Sequence, residues 1–246
     1  MAGCTLALAI PLAVPAAAMS GNNKATLQSQ FAPFTTANNV FTAGSIDLVV
    51  TTVDAADPGT ASSPTIFPDQ TTHLTLRFDH QFRFNTNAAP VCTAGLAGTT
   101  TSQAQSICPP GSDVGGGTAT FCANNNGGGC AVFSADATLF NGPTAGHARL
   151  HLWSQSPGVT VVSKGTFSTG TSGTPDYVNG PRIDFPFPVF FNIAAITRLE
   201  LLIHHGGYVR AKCQASDTAW NASATVTYLN GTPADRPNST QSCFVS

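Results

Sequence analysis

The chain predicts an all-β fold: a β-sandwich of jelly-roll-like form, a single domain with disulfide-clamped loops. Three observations predict it. Only 9% of the 246 residues are charged while 42% are hydrophobic, which supplies a core but not the Glu and Lys that solvent-facing helices need. Residues 72–86, THLTLRFDHQFRFNT, set Leu74, Leu76, Phe78, Phe82 and Phe84 on one face and Thr75, Arg77, Asp79, Gln81 and Arg83 on the other. A period of two over that length is the signature of a strand. Turn clusters (ADPGT, NGPTAG, TSGTPD, NGTPADRP) then recur between apolar stretches, as they do in sandwiches.

In chain order, residues 5–18 read TLALAIPLAVPAAA, an apolar run ending in small residues, and predict a signal peptide over residues 1–20. No Lys or Arg precedes it, so the sequence is expected to begin inside a longer leader, and Cys4 is assigned to that leader. Residues 21–36 form an N-terminal segment in which KATLQSQF alternates. Ala25, Leu27, Ser29 and Phe31 share one face, and Phe34 follows. Such a segment either pairs as the first strand of its own domain or adds as a donor strand to the sheet edge of a neighbouring copy. The second reading is favoured here, and head-to-tail addition of this kind gives a filament. Residues 37–246 form the sandwich.

Further strands are predicted at 45–53, 117–123, 131–140, 148–154, 159–167, 183–191, 196–204, 208–214 and 220–229. In the last, Trp220, Ala222, Ala224, Val226 and Tyr228 line the side expected to be buried. FPFPVFF at 185–191 carries prolines at alternate positions, which predicts an edge strand or a bulged crossing.

Setting Cys4 aside leaves Cys92, Cys108, Cys122, Cys130, Cys213 and Cys243, an even number behind an export signal, which reads as disulfides. Fifteen pairings exist. The nearest-neighbour set Cys92–Cys108, Cys122–Cys130 and Cys213–Cys243 is preferred because each bridge closes a local loop, with NNNGGG at 124–129 as a clamped hairpin tip. The competing zinc reading lacks CxxC or HxxxC spacing.

Composition also bounds function. With ten Lys+Arg, twelve Asp+Glu and a net charge of −2, the chain has no basic field for nucleic acid, and after the leader no apolar run approaches the length of a membrane span. No catalytic cluster stands out. His147 and His151 are four apart, but HARLHLW alternates as a strand and puts His147, Arg149, His151 and Trp153 on one solvated or partner-facing side. His204-His205 marks a strand end, and His80 lies on the apolar face of its strand. Glu200 and eleven scattered Asp show no paired spacing, and there is no GxSxG or HExxH. VGGGTA at 114–119 reads as a tight strand entry, not a phosphate loop. No cofactor or metal is called for, although the acidic turn at 54–57 is a loose candidate for calcium between subunits. Asn-x-Ser/Thr acceptors stand at Asn221, Asn230 and Asn238.

FAPFTTANNVFTAGSIDL at 31–48 resembles the start of mature proteins of the TasA/camelysin family of bacterial biofilm-matrix fibres, through Phe31, Phe34, Thr35, Asn39, Phe41, Thr42, Ala43, Gly44, Ile46, Asp47 and Leu48. The resemblance covers less than a tenth of the chain. It implies a jelly-roll subunit that polymerises when its N-terminal strand completes the next subunit's sheet. The disulfides and the cysteine-bearing insert at 92–130 depart from that family. The second half resembles a group of secreted actinobacterial proteins of unknown role, through CPPGSxVGGGTAT at 108–120, a LHLW-type strand, YVRAKC at 208–213 and a terminal Cys; this supports export and the Cys213–Cys243 bridge.

The expectation is therefore a secreted, non-enzymatic subunit of an extracellular filament or matrix whose partners are copies of itself. The alternative is a secreted carbohydrate-binding or adhesive module, with polysaccharide as partner and Trp153, Tyr177 and Tyr208 as glycan-facing aromatics.

Overall fold

The computed structural model describes residues 23–125, 129–143, 146–168, 180–188, 194–230 and 236–246. The leader lies outside them. The elements, in order, are β1 (Asn23–Ala32), β2 (Thr35–Thr36), β3 (Thr42–Asp54), β4 (Thr71–Phe78), β5 (Phe82–Phe84), α1 (Thr101–Ile107), β6 (Asp113–Asn124), β7 (Cys130–Asn141), β8 (His147–Ser154), β9 (Val159–Ser168), β10 (Arg182–Pro186), β11 (Ala194–Ile203), β12 (Val209–Ala211), β13 (Ala219–Tyr228), β14 (Asn238–Ser242) and β15 (Phe244–Val245). The fold is all-β.

One antiparallel sheet runs β14-β13-β4-β10-β9-β8-β7-β6-β11-β3, with β12 and then β5 continuing beyond β3, and β1 also paired to β3. Its middle, β6 to β10, is a meander in chain order. The sheet folds back on itself, so that inward residues of β1, β3 and β11 share a single core with those of β4 and β13. That shared core makes the molecule one sandwich-like domain. Trp220, Ala222, Ala224, Val226 and Tyr228 are all buried, as the alternation of the last long strand requires.

Local chemistry explains where the elements depart from the sequence pattern. Residues 72–86 are two strands, not one. The Asp79 carboxylate accepts from Gln81 N at 2.9 Å and from Asn221 N at 2.7 Å, and Phe82 N donates to Asp79 O at 3.2 Å, so the chain turns after Phe78. His80 thus sits half-buried in a turn, not on a strand face. Of the FPFPVFF stretch, Phe185 and Pro186 end β10, which lies inside the sheet between β9 and β4 and not at its edge. Pro186 is tolerated there because the pairing with β9 has already ended at Asp184 and the next bond to β4 is made by Phe187, whose N donates to Thr72 O at 2.9 Å. Residues 189–191 lie outside those described. The glycines of VGGGTA are interior to β6, not at its entry. A Cβ on Gly117 would stand 2.1 Å from Glu200 O, and one on Gly115 2.6 Å from Leu202 O, so β6 and β11 approach as they do only because these residues lack one.

The three disulfides join Cys92 to Cys108, Cys122 to Cys130 and Cys213 to Cys243. The second bridges the turn end of the β6–β7 hairpin, where Asn124 pairs with Cys130. The first encloses α1, which the sequence pattern misses. Thr100 caps it: the Gln103 N–H donates to the Thr100 hydroxyl at 3.2 Å and Thr100 N donates to Gln103 Oε1 at 2.9 Å, a capping box. This loop packs Cys92, Leu96, Ala104 and Cys108 onto Phe140, covering the outer side of the meander with a small second core.

Candidate functional site

The two ends of the sheet meet, and the seam between them is the most unusual joint in the molecule. β1 runs antiparallel to β3 from the pair Asn23–Asp54 to the pair Ala32–Ser45. Alternation along KATLQSQF buries Ala25, Leu27 and Phe31 and leaves Lys24, Thr26, Gln28 and Gln30 exposed. Phe31 is 1% exposed and stands edge-on to Trp220 at 4.9 Å and to Phe82 at 5.8 Å. The inward face of β1 is therefore core. In the single chain Ala25, Leu27, Ser29 and Phe31 complete the sheet of their own domain, the first-strand alternative the sequence also offers, while Phe34 lies past the strand, 42% exposed.

The outward edge of β1 faces β14, yet no backbone ladder joins them: among the described residues β14 pairs with β13 alone and β1 with β3 alone. Side chains close the gap instead. Ser29 N donates to Ser239 Oγ at 3.0 Å, Phe31 N donates to Gln241 Oε1 at 2.6 Å, and Gln241 Nε2 donates to Phe31 O at 2.9 Å. The Gln241 carboxamide thus stands in for a partner strand's peptide group. Such a bond orders a long side chain as well as a backbone, so it holds an edge less firmly than a ladder does. Outside it lies an open cleft of about 290 Å³ lined by Gln28, Gln30, Asp47, Thr240 and the two seam side chains.

β14 reads NSTQS, with no apolar alternation to bury. It is held through pairing with β13 and through the bond from Cys243 to Cys213. Immediately after it, β15 pairs in parallel with β2, which follows β1. Phe244 N donates to Phe34 O at 2.9 Å.

Other candidate groups are engaged elsewhere. Tyr208 is fully buried against Phe167, and its hydroxyl donates to Asn141 Oδ1 at 3.2 Å. It does not face a glycan, and burial pushes its phenol well above the ordinary value. Trp153 is half-buried on β8, and Tyr177 lies outside the described residues. His151 is not on a solvated side: the Cys92–Cys108 loop covers it, with Nε2 at 3.1 Å from the Thr99 carbonyl. Burial holds its pKa below the ordinary value, since protonation would place a second N–H at Nδ1, which is buried without a partner. His147, in contrast, is exposed.

Glu200 is bound by Arg198 Nε at 2.8 Å and by Thr118 Oγ1 at 3.2 Å, and the Arg198 hydrogen bonds and charge hold its pKa down. In the acidic turn, Asp57 accepts from the backbone N–H groups of Gly59, Thr65 and Ile66 and from the Thr65 hydroxyl, so its oxygens tie the loop rather than face an ion. The Thr65 hydroxyl and these amides outweigh burial and lower its pKa. Among the described residues no three His, Cys, Asp or Glu side chains come together as a metal set. Asn221 bonds Thr240 and Asp79, whereas Asn238 is exposed on β14. No described helix is long and apolar enough to cross a membrane. No protein family matches the chain, and no curated protein or solved structure is significantly similar to it.

Proposed function

We propose that the protein is a secreted, non-enzymatic structural subunit that assembles head to tail into an extracellular filament or matrix, β1 of one copy taking the place of β1 in the next. The observation that carries this reading is the seam. β1 fills the core and completes the sheet, yet among the described residues its outer edge is held by the side chains of Ser239 and Gln241 rather than by a backbone ladder. A strand bound in this way leaves intact the grooves for Leu27 and Phe31, and an identical strand from another copy satisfies them equally. Exchange then costs little in contacts, is driven by concentration, and does not close on itself. Three disulfides suit an oxidising compartment. A surface poor in charge lets copies approach with little repulsion. Asp57, Glu200 and His151 serve internal bonds.

A lock tests it. Thr26 and Thr51 face each other across β1 and β3, with their hydroxyls 2.6 Å apart. A disulfide in the double variant Thr26→Cys/Thr51→Cys spans a typical antiparallel pair and ties β1 to its own sheet. Wild type is expected to form filaments by negative-stain microscopy as concentration rises, and the locked variant to remain monomeric by light scattering. Filaments from the locked protein, or a wild type that stays monomeric throughout, overturn the proposal.

A further inference from the structure

At the end of the sandwich away from the seam, the inner faces of β6, β7, β8 and β9 do not close upon one another. They enclose a cavity of about 130 Å³. Its deep wall is buried hydrocarbon, Leu152 at 1% and Val161 at 4% exposure, and Phe121 and Phe133 stack flat on each other along one side, 5.0 Å apart with 3° between their planes. The space exists because three lining positions carry the smallest branched-free side chain: Ala123, Ala135 and Ala194. A Leu at any one of them would occupy much of it. The rim is the β8–β9 turn, where Pro157 and Val159 are exposed. Ser154 is the one hydroxyl residue in the lining, and its Oγ donates to Ser156 O at 2.8 Å.

Such a lining has no set of polar partners for water, and apolar voids of this size remain dry and admit a benzene-sized molecule. Dry volume left empty in a core is a standing loss of packing, which an apolar guest recovers. We infer that this cavity is a binding site for an uncharged hydrocarbon group, an aromatic ring or the end of an alkyl chain, entering past Pro157 and Val159 and lying against the Phe121–Phe133 pair. The inference does not rest on strand exchange: the cavity is lined by β6 to β9, the β8–β9 turn and Ala194 of β11, not by β1 or β14.

The test titrates the full chain with toluene and, separately, n-hexane, reading the alanine methyl signals by NMR. Saturable shifts confined to Ala123, Ala135 and Ala194 are expected, and which probe binds more tightly distinguishes the ring from the chain. Ala135→Leu should fill the void and reduce affinity at least about tenfold, without loss of the folded spectrum. If that variant fails to fold, Ala194→Val serves in its place. Absence of saturable shifts with both probes, or undiminished binding by the filled variant, overturns the inference.

Discussion

Phe31 ties the N-terminal segment to the core, and its energetics set how tightly β1 is held. Truncating a buried Phe packed on Trp220 and Phe82 removes transfer energy and leaves a cavity, so Phe31→Ala is expected to lower unfolding free energy by about 3–5 kcal/mol in urea titrations. Asp79 sets a pH dependence. Burial raises its pKa from the ordinary 3.8 to about 6, against the Asn221 and Gln81 amides that bond it. The folded state therefore holds this proton more firmly than the unfolded chain, and the group's contribution, full below about pH 4, is lost as pH rises through 6. A carboxyl-carbon NMR titration should show a midpoint near 6, and Asp79→Asn should remove that component from the stability–pH curve. A midpoint near 4 counts against this account. At this scale, the alternating residues of 72–86 and 220–229 reveal their buried faces in the sequence. The burial of Tyr208 and His151 does not show there, because segments distant in sequence cover them: Asn141 and Phe167 in one case, Thr99 in the other.

Among elements, those with strong apolar periodicity, such as β3, β9 and β13, are legible, and so are the three cysteine pairs, each of which clips neighbouring segments. What the pattern hides has no apolar period to show. α1 is TSQAQSI, with only Ala104 buried, and its one local signal is the Thr100/Gln103 capping box. β14 is NSTQS, recognisable only by what it docks on. The seam is invisible for the same reason, since its partners lie some 210 residues apart. If Ser239 and Gln241 hold β1, the double variant Ser239→Ala/Gln241→Ala should speed amide exchange along β1 about tenfold or more, as befits loss of hydrogen bonds worth roughly 1 kcal/mol each. Exchange in the β6–β10 meander should be unaltered. Equal protection of β1 in variant and wild type would falsify the view that these side chains retain the strand.

For the whole molecule, the Cys213–Cys243 bridge governs the seam at one remove. It fastens the residue directly after β14 to the segment following β12, which pairs with β3. Replacing both cysteines by Ser is expected to cost about 2–4 kcal/mol, measured by thermal unfolding. It should also lower the concentration at which filaments appear by light scattering, because β14 and with it Gln241 are then less firmly placed. Slower or unchanged assembly in a folded double variant would oppose that link. Composition anticipates this scale only coarsely: it predicts an all-β single domain, but not which strand ends meet.

The parallel pair β2–β15 also has a practical bearing. Phe244 and Val245 lie beside Thr35 and Thr36, a few residues beyond the N-terminal strand. Residues 244–245 therefore sit close to the C-terminal end of β1. A fluorophore placed at Ser246 and another near Lys24 form a donor–acceptor ruler within one molecule. If strands exchange as proposed, mixing singly labelled copies turns the same ruler into a clock for that exchange.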